Sequence, residues 1–521
     1  MNTACQNQTE TIHMTTDVLV IGGGAAAVQA ANRLSTAEYP VTLAGPGQQQ
    51  TAGKGVEVIA GATVIDVTGM PGDFTVKLAS QGKAVTKKAG VIVVASELAV
   101  TPLLGAYGLT AGETVLSLSG FEALISDDAK RGKVLSGEKT VAFLAGFAQE
   151  GNPLLMKRIL TCVDHLTGVT GCTAYVYINN IKVADDGLER LYKKGRDKGA
   201  TYFKLQQAPS VSQDGNNLSI TFHDPVLRSD IELSPDIIVC EESLTADPTH
   251  PALAKALRID LGPMGFLQKE NVHRLPVGSN REGIFVVGPG RDVENLTKSR
   301  ADIDNMLLRV RALIGDGSLS VTAKAVVDRD KCVTCLTCYR CCPHGAITWD
   351  NKAIISPVAC QGCGICASEC PMDAIQLADF TDAEMMDRVK AAANAAGAPK
   401  IVAFCCRNSA YEAGMMAAAF NYELPKGLQM IKVPCAGKVD IQYILNALAV
   451  VDGVLVLACH TGNCKSEVGN TYAKWRVNDA YRKLEMVGIK KERLVFATLA
   501  SNMAADFARI AKDMENIVRE L

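Results

Sequence analysis

Short apolar runs alternate with glycine turns and amphipathic stretches along most of this chain, the pattern of an α/β protein. "DVLVIGGGAAAVQAANRL" (17–34) reads as a buried strand, a glycine turn and the start of a helix over 24–35, and "PVTLAGPG" (40–47) supplies the next strand. Residues 56–97 read as short antiparallel strands followed by a buried strand at 91–95. A second α/β run fills 139–245, with strands at "KTVAFLAG", "TAYVYINNI", "LSITFHD" and "DIIVCEESL" and helices at "NPLLMKRILTCVDHLTGV" and "GLERLYKKGRDKGA". "GIFVVGPGRDVENLTKSRADIDNMLLRVRALI" (283–314) is then a strand, a glycine turn and a long helix, and "GDGSLS" (315–320) reads as a linker. Residues 321–378 are cysteine-rich, and strand–helix alternation resumes over 379–521 after the helical "DAEMMDRVKAAANAAG".

Composition narrows the class. The 521 residues carry a net charge of −2, which gives no electrostatic case for nucleic acid or an anionic membrane. The polar N-terminus "MNTACQNQTETIHMTTD" lacks the apolar core of a signal peptide. The longest apolar runs, "GVIVVASELAV" (90–100) and "GVLVLAC" (453–459), are too short to span a membrane. A cytoplasmic protein is expected, with any membrane association supplied by partners.

The 18 cysteines change the picture. Cys5, Cys162, Cys172 and Cys240 are scattered, and the rest crowd between 332 and 464. In a large chain without an export signal, such clustering points to metal rather than disulfides. "CVTCLTCYRCCP" (332–343) and "CQGCGICASECP" (360–371) are two copies of C-x2-C-x2-C-x3-C-P, 28 residues apart, with related flanks "PHGAITW" and "PMDAIQL". This is the two-cluster ferredoxin spacing, in which the fourth cysteine of each run ligates the other cluster. It predicts one [4Fe–4S] cluster on Cys332, Cys335, Cys338 and Cys370, and a second on Cys360, Cys363, Cys366 and Cys342. Pro343 favours Cys342 over its neighbour Cys341 as the fourth ligand, and the doubled spacing with both prolines argues against zinc knuckles.

Further cysteines end apolar strands: Cys405 and Cys406 in "IVAFCC", Cys435 in "MIKVPC", and Cys459 in "GVLVLAC", with Cys464 five residues on. If these strands are parallel, their carboxyl ends bring the thiols to one edge. Cys406, Cys435, Cys459 and Cys464 then suit a [2Fe–2S] cluster. A four-thiolate zinc site and ordinary buried thiols are the alternatives.

"GGGAAA" places Gly22, Gly24 and Ala27 after a strand and at a helix start, the fingerprint of a dinucleotide site. Ala95 and Ser96 in "VIVVASE", and Gly288 and Gly290 in "GIFVVGPG", are further candidate FAD contacts. Against this, Ala44 and Gly45 stand where the second strand of such a site carries an acid for the adenosine ribose. The strand opening the second lobe has no G-x-G-x-x-G, so no separate nicotinamide site is expected. His344 reads as a neighbour of the ferredoxin turn rather than a ligand, His460 likewise beside Cys459, and Lys298 and Arg300 as a solvated helix face.

Together these stretches resemble a known family. Residues 17–378, through "TDVLVIGGGAAA", "GIFVVGPGRDVENLTKSRADIDNML" and the ferredoxin motifs, look like the A subunit of heterodisulfide reductase. Residues 400–470, through "VPCAGKVD" and "CHTGNCKSEVGN", resemble the delta subunit of methyl-viologen-reducing hydrogenase. Fusions of the two occur in heterodisulfide-reductase-like complexes and in the B subunit of the quinone-interacting membrane-bound oxidoreductase. The resemblance implies a two-lobed Rossmann-like flavoprotein, similar to glutathione reductase, with a 2[4Fe–4S] ferredoxin insert and a C-terminal parallel α/β domain.

Its expected parts are an FAD-binding domain over 15–138 and 246–315, a second lobe over 139–245, the ferredoxin domain over 321–378 and the delta-like domain over 379–521. The implied role is an electron-transfer subunit relaying electrons between partner subunits, with electron bifurcation as a further capacity and a dimer of complexes as an option. Three departures weaken bifurcation: a shortened 45–55 segment, the loss of a cysteine-bearing segment after "VAF", and Ser409 where the delta family has a cysteine, which leaves Cys405 and Cys406 competing for one position. The competing functions are a self-sufficient flavin oxidoreductase for a small thiol, disulfide or quinone, and a conducting assembly protein whose flavin site has decayed.

Overall fold

The computed structural model describes residues 9–46, 53–224, 227–268, 271–293 and 296–521. They form two compact units: residues up to Ala95 with 249–287 and 302–521, and residues 96–248 with 288–301. Cys5 and most of the shortened 45–55 segment lie outside the described residues.

The first unit opens on a five-stranded parallel sheet, ordered Ile284–Val286, Val91–Val94, Val18–Ile21, Val41–Gly45, Val56–Ala60. Val18–Ile21 and Val91–Val94 are buried at every position, as strands covered on both faces must be. Helix Ala25–Thr36 and residues 303–314 cover one face. The antiparallel meander Ala62–Met70, Asp73–Ser80, Lys83–Ala89 and helix His250–Leu257 cover the other.

Two readings of the sequence are corrected here. The pattern at Val56–Ala60 suggests an antiparallel strand, but it extends the parallel sheet, Val41 facing Val56; as a half-exposed edge strand it lacks the continuous apolar run that marks its neighbours. The expected linker at 315–320 instead leads into a strand, Ser318–Thr322, antiparallel to Thr9–His13.

The second unit repeats the same plan. A five-stranded parallel sheet, ordered Val115–Ser117, Ile237–Cys240, Lys139–Ala145, Cys172–Ile178, Thr201–Lys204, is joined by the meander Ser210–Asp214, Asn217–Asp224, Ser229–Leu233. Residues 96–138, expected in the first lobe, belong to this one. Val115–Ser117 pairs with Ile238–Cys240, and Leu118 and Phe121 fill this unit's core. A three-residue strand among polar neighbours gives no signal of its partner.

Beyond residue 321 the first unit continues with two further modules. The cysteine-rich one is built from the paired strands Ala325–Val327 with Ile375–Leu377 and Ile347–Asp350 with Lys352–Ile355. The last is a four-stranded parallel sheet, ordered Leu428–Val433, Ile401–Cys406, Gly453–Ala458, Leu494–Thr498. Helices Asp382–Asn394, Ile441–Leu448 and Gly469–Met486 cover one face, and Ala410–Ala419 and Ala504–Glu520 the other. Among the described residues no helix is long and apolar enough to cross a membrane.

Candidate functional site

The two cysteine repeats fold alike. Left-handed residues fall at Thr334, Leu336 and Gly345 in the first copy, and 28 residues later at Gly362, Gly364 and Asp373 in the second. Each loop turns its amides toward sulfur. Ala346 N donates to Cys342 Sγ and Ala374 N to Cys370 Sγ, both at 3.4 Å, and Gly362 N donates to Cys360 Sγ at 3.4 Å. Such N–H···S contacts favour the thiolate and tune a bound cluster.

The crossed sets predicted from spacing are brought together. Cys332, Cys335, Cys338 and Cys370 line one small cavity with Thr337, Met372 and Ala374. Cys366 is buried with Cys363, Cys342 and Cys360 as its sulfur neighbours, and its thiol is pushed well above the ordinary range by burial and then by those sulfurs. The two sets sit in different surroundings. Cys335 is exposed, and its pKa is lowered, first by the Thr337 hydroxyl. Cys332 is lowered too, first by the Ala353 amide. In the second set burial dominates and pushes Cys363 up to about 12. Cys341 donates its thiol to Cys338 O at 3.4 Å, and burial raises its pKa.

The third set gathers at the carboxyl edge of the last sheet. Alternation along Ile401–Cys406 separates the two adjacent cysteines. Cys405 faces the core of helices Ala410–Ala419 and Ala504–Glu520, where its thiol meets Ala403 O. Cys406 faces the opposite core with Cys435, Cys459 and Cys464. Cys406 and Cys459 sulfurs lie 3.5 Å apart, and those of Cys435 and Cys464 3.9 Å, well beyond the about 2.05 Å of a disulfide. Cys406 also interacts with Cys435, and Cys464 with Cys459, with Cys435 and Cys459 on the donor side, so Cys406 and Cys464 are pulled down and Cys435 and Cys459 pushed up.

Two features around this ring fit a bound inorganic group. Ser409 is buried against Cys406 and Cys459, and its hydroxyl favours the thiolate of both. A Cβ on Gly469 would stand 2.3 Å from Cys435 Sγ. Among the described residues no three or more His, Cys, Asp or Glu side chains cage a single metal ion; what the fold holds here is a ring of neighbouring sulfurs. His460 is occupied elsewhere, Nδ1 with Thr498 Oγ1 at 2.9 Å and Nε2 with Met503 Sδ at 3.3 Å.

The second and third sets are neighbours. Cys363 packs on the core that carries Cys406, Cys435, Cys459 and Cys464. The junction is tied by buried cations that the sequence does not announce. Lys438, three residues after Cys435, is fully buried; its Nζ donates to Asp382 Oδ1 at 2.8 Å and Tyr443 Oη at 2.5 Å. Its stem lies on Gly364, where a Cβ would be 2.8 Å from Lys438 Cβ. Arg476 bridges Glu369 at 2.7 Å to Gly437 O at 2.8 Å and Val439 O at 2.9 Å. The only sequence signal for these cations is a lysine and an arginine inside otherwise buried patterns.

At the first sheet, Gly22 has φ +153, and a Cβ there would lie 2.1 Å from Ala95 O and 2.9 Å from Ala27 Cβ. Glycine is thus required for strand, turn and helix to close up, and Gly24, which has no side chain to offer as a cap, stands at the N-cap of helix Ala25–Thr36. These features fit a dinucleotide phosphate. Ala44 is buried in the core against the meander, so no carboxylate stands at that strand end. Gly22, Gly24, Ala27 and Ala95 belong to the first unit, while Ser96, Gly288 and Gly290 belong to the second. In the second unit, the turn after Lys139–Ala145 is filled from within: Gly146 N and Ala148 N donate to the buried Glu241 carboxylate at 3.0 and 3.2 Å, and Tyr107 Oη donates to it at 2.5 Å.

Three thiol sets on an α/β scaffold define the class, an iron–sulfur oxidoreductase component. Residues 401–521 match the methyl-viologen-reducing hydrogenase delta subunit family, and residues 353–376 the 4Fe-4S binding domain. The chain is 35% identical over 122 residues to the vhu iron-sulfur D subunit of the F420-non-reducing hydrogenase of Methanopyrus kandleri, covering 23% of this chain and 92% of that protein. It is 23% identical over 355 residues to the A subunit of the ferredoxin:CoB-CoM heterodisulfide reductase of Methanosarcina mazei, covering 67% of this chain and 44% of that protein. To the A subunit of the ferredoxin/F420H2-dependent CoB-CoM heterodisulfide reductase of Methanosarcina acetivorans it is 26% identical over 350 residues, covering 66% and 44%. Through its C-terminal module the chain belongs to the hydrogenase delta-subunit family. It spans less than half the length of the heterodisulfide reductase proteins it matches.

Proposed function

We propose that this chain is an electron-transfer subunit of a heterodisulfide-reductase-like complex, moving electrons between partner subunits. Cys332, Cys335, Cys338 and Cys370 would hold one [4Fe–4S] cluster, and Cys342, Cys360, Cys363 and Cys366 the other. Cys406, Cys435, Cys459 and Cys464 would hold a [2Fe–2S] cluster, and Gly22, Gly24, Ala27 and Ala95 of the first unit would receive the FAD phosphates. Iron–sulfur clusters exchange single electrons, and a flavin exchanges singles and pairs. The chain's own contribution is to align the three thiol sets, keep water from the inner two and leave the outer one at the surface.

The observation that carries the reading is continuity. The third set shares its core with Cys363 of the second, and the second shares a core with the first, whose Cys335 is exposed. Such a line serves transfer between partners better than turnover of a small substrate. The filled Glu241 turn supports the same reading, because the amides that would receive a nicotinamide dinucleotide's phosphates are already bonded to a carboxylate. The buried Ala44 favours one second reading, a conducting protein whose flavin site has decayed.

Metal, sulfide and flavin analysis of the anaerobically purified chain tests both. About ten irons and about one FAD per chain are expected. About ten irons without flavin selects the second reading. Zinc without iron removes both.

A further inference from the structure

Arg281 stands at the junction of the first sheet and the ferredoxin module, just before the strand Ile284–Val286. It is only 4% exposed. Its Nη1 donates to Leu257 O at 2.6 Å and its Nη2 to Gly69 O at 3.5 Å, and the guanidinium lies 5.7 Å from the centre of the Phe74 ring. All three partners are neutral, and among the described residues no carboxylate pairs with it. Burial, with Arg258 nearby, draws its pKa down to about 10, which leaves it charged at neutral pH. A buried cation without an anion is strongly unfavourable, and interiors supply a counter-charge or leave such a residue outside.

The missing anion lies on the turn that Arg281 covers. A Cβ on Gly345 would sit 2.7 Å from Arg281 Nε, so the guanidinium stem lies directly on that residue. Burial raises the Cys342 thiol, while the amides of Ala346, His344 and Gly345, which point to its Sγ, and the neighbouring Arg281 charge act in the opposite sense. Asn280 fixes the approach: its Nδ2 donates to Pro343 O at 2.8 Å, and its carbonyl meets His344 Nδ1 at 3.3 Å. One loop of the first sheet's return segment thus docks, through consecutive residues, on the turn bearing the crossed fourth cysteine.

We propose that Arg281 is the counter-charge of the cluster held by Cys342, Cys360, Cys363 and Cys366, raising its reduction potential above the value that apolar burial alone would set. The inference rests on the assignment of those four cysteines to a [4Fe–4S] cluster. Each electron the cluster accepts adds one negative charge without changing its ligands, and a fixed cation nearby stabilises the reduced form more than the oxidised one. The equivalent turn in the second copy has Asp373 in place of Gly345, so the asymmetry is specific to one cluster.

The test is an EPR-monitored potentiometric titration of the full chain, with dithionite as reductant, alongside iron analysis. Cys363→Ser identifies the wave of the inner cluster by its loss. In Arg281→Met that wave should move to lower potential, the reduced-to-oxidised ratio at a fixed poise falling about tenfold, or about 59 mV for one electron. The outer wave should stay, and Arg281→Lys should hold the native value. Loss of the cluster in Arg281→Met with full iron and native potential in Arg281→Lys also supports the charge role. An unmoved inner wave in Arg281→Met overturns the inference while the cluster assignment stands. A lysine variant displaced as far as the methionine one overturns it in favour of packing. A wild-type chain with no inner wave overturns the cluster assignment, and this role with it.

Discussion

The first cysteine repeat and the second turn at the same three places, yet the residues at those turns differ for reasons of environment. Leu336 holds a left-handed turn on the cavity of the first set, whose described lining comes wholly from the ferredoxin module. Its counterpart Gly364 holds the same turn under the stem of Lys438, where no side chain fits. Cys335 is exposed, with Val333 and Met372 as uncovered apolar neighbours on the same cavity. Cys366 is buried and Cys363 half-buried, and Arg281, Lys324 and Lys438 lie on the turns of their set, at Gly345, Gly362 and Gly364. A duplicated loop can therefore supply one terminal and one internal site with no change in cysteine spacing, because solvent and fixed charge do the differentiating.

Exchanging the turn residues should break this comparison most severely. Gly364→Leu forces a side chain into Lys438 in a left-handed conformation. Overpacking costs about 1–3 kcal/mol, and the conformation about 1–2 kcal/mol more. The inner cluster should be lost, read as about four irons fewer per chain. The reciprocal Leu336→Gly should change stability by no more than about 1 kcal/mol and keep all the iron. Thermal unfolding and iron analysis check both.

Gly469→Ala should act on the third set alone. Its Cβ would collide with Cys435 Sγ, so about two irons should go while the roughly eight of the ferredoxin module remain. Lys438→Met should destabilise the chain by about 1–3 kcal/mol in chemical unfolding, since a buried cation bonded to Asp382 and Tyr443 disappears while partly exposed Asp382 recovers some hydration. The smallest effect expected is kinetic: under mild oxidation with ferricyanide the exposed set should bleach before the inner one, and simultaneous loss would argue against their difference in burial.

The cysteine sets are legible in the sequence because ligand spacing is local and strand alternation is regular. The crossed exchange of Cys370 and Cys342 follows from the repeat, and the parallel strands bearing Cys406, Cys435 and Cys459 follow from their apolar runs. What cannot be read depends on contacts distant in the chain. Lys438 looks like any surface lysine until Gly364 and Asp382 are beside it, and Arg281 like any surface arginine until Leu257 and Gly345 enclose it. Glu241 gains meaning only when the turn at Gly146 closes on it. Residues 96–138 read as part of the wrong lobe because a three-residue strand carries too little pattern to name its neighbours.

The most direct test of the asymmetry is EPR power saturation of the reduced chain with and without a soluble dysprosium chelate. Paramagnetic relaxation by the chelate reports distance to solvent. One [4Fe–4S] signal, the one altered by Cys335→Ser, should relax faster with the chelate, and the one altered by Cys363→Ser should not respond. Equal enhancement of both signals would contradict an outer terminal and an inner relay site.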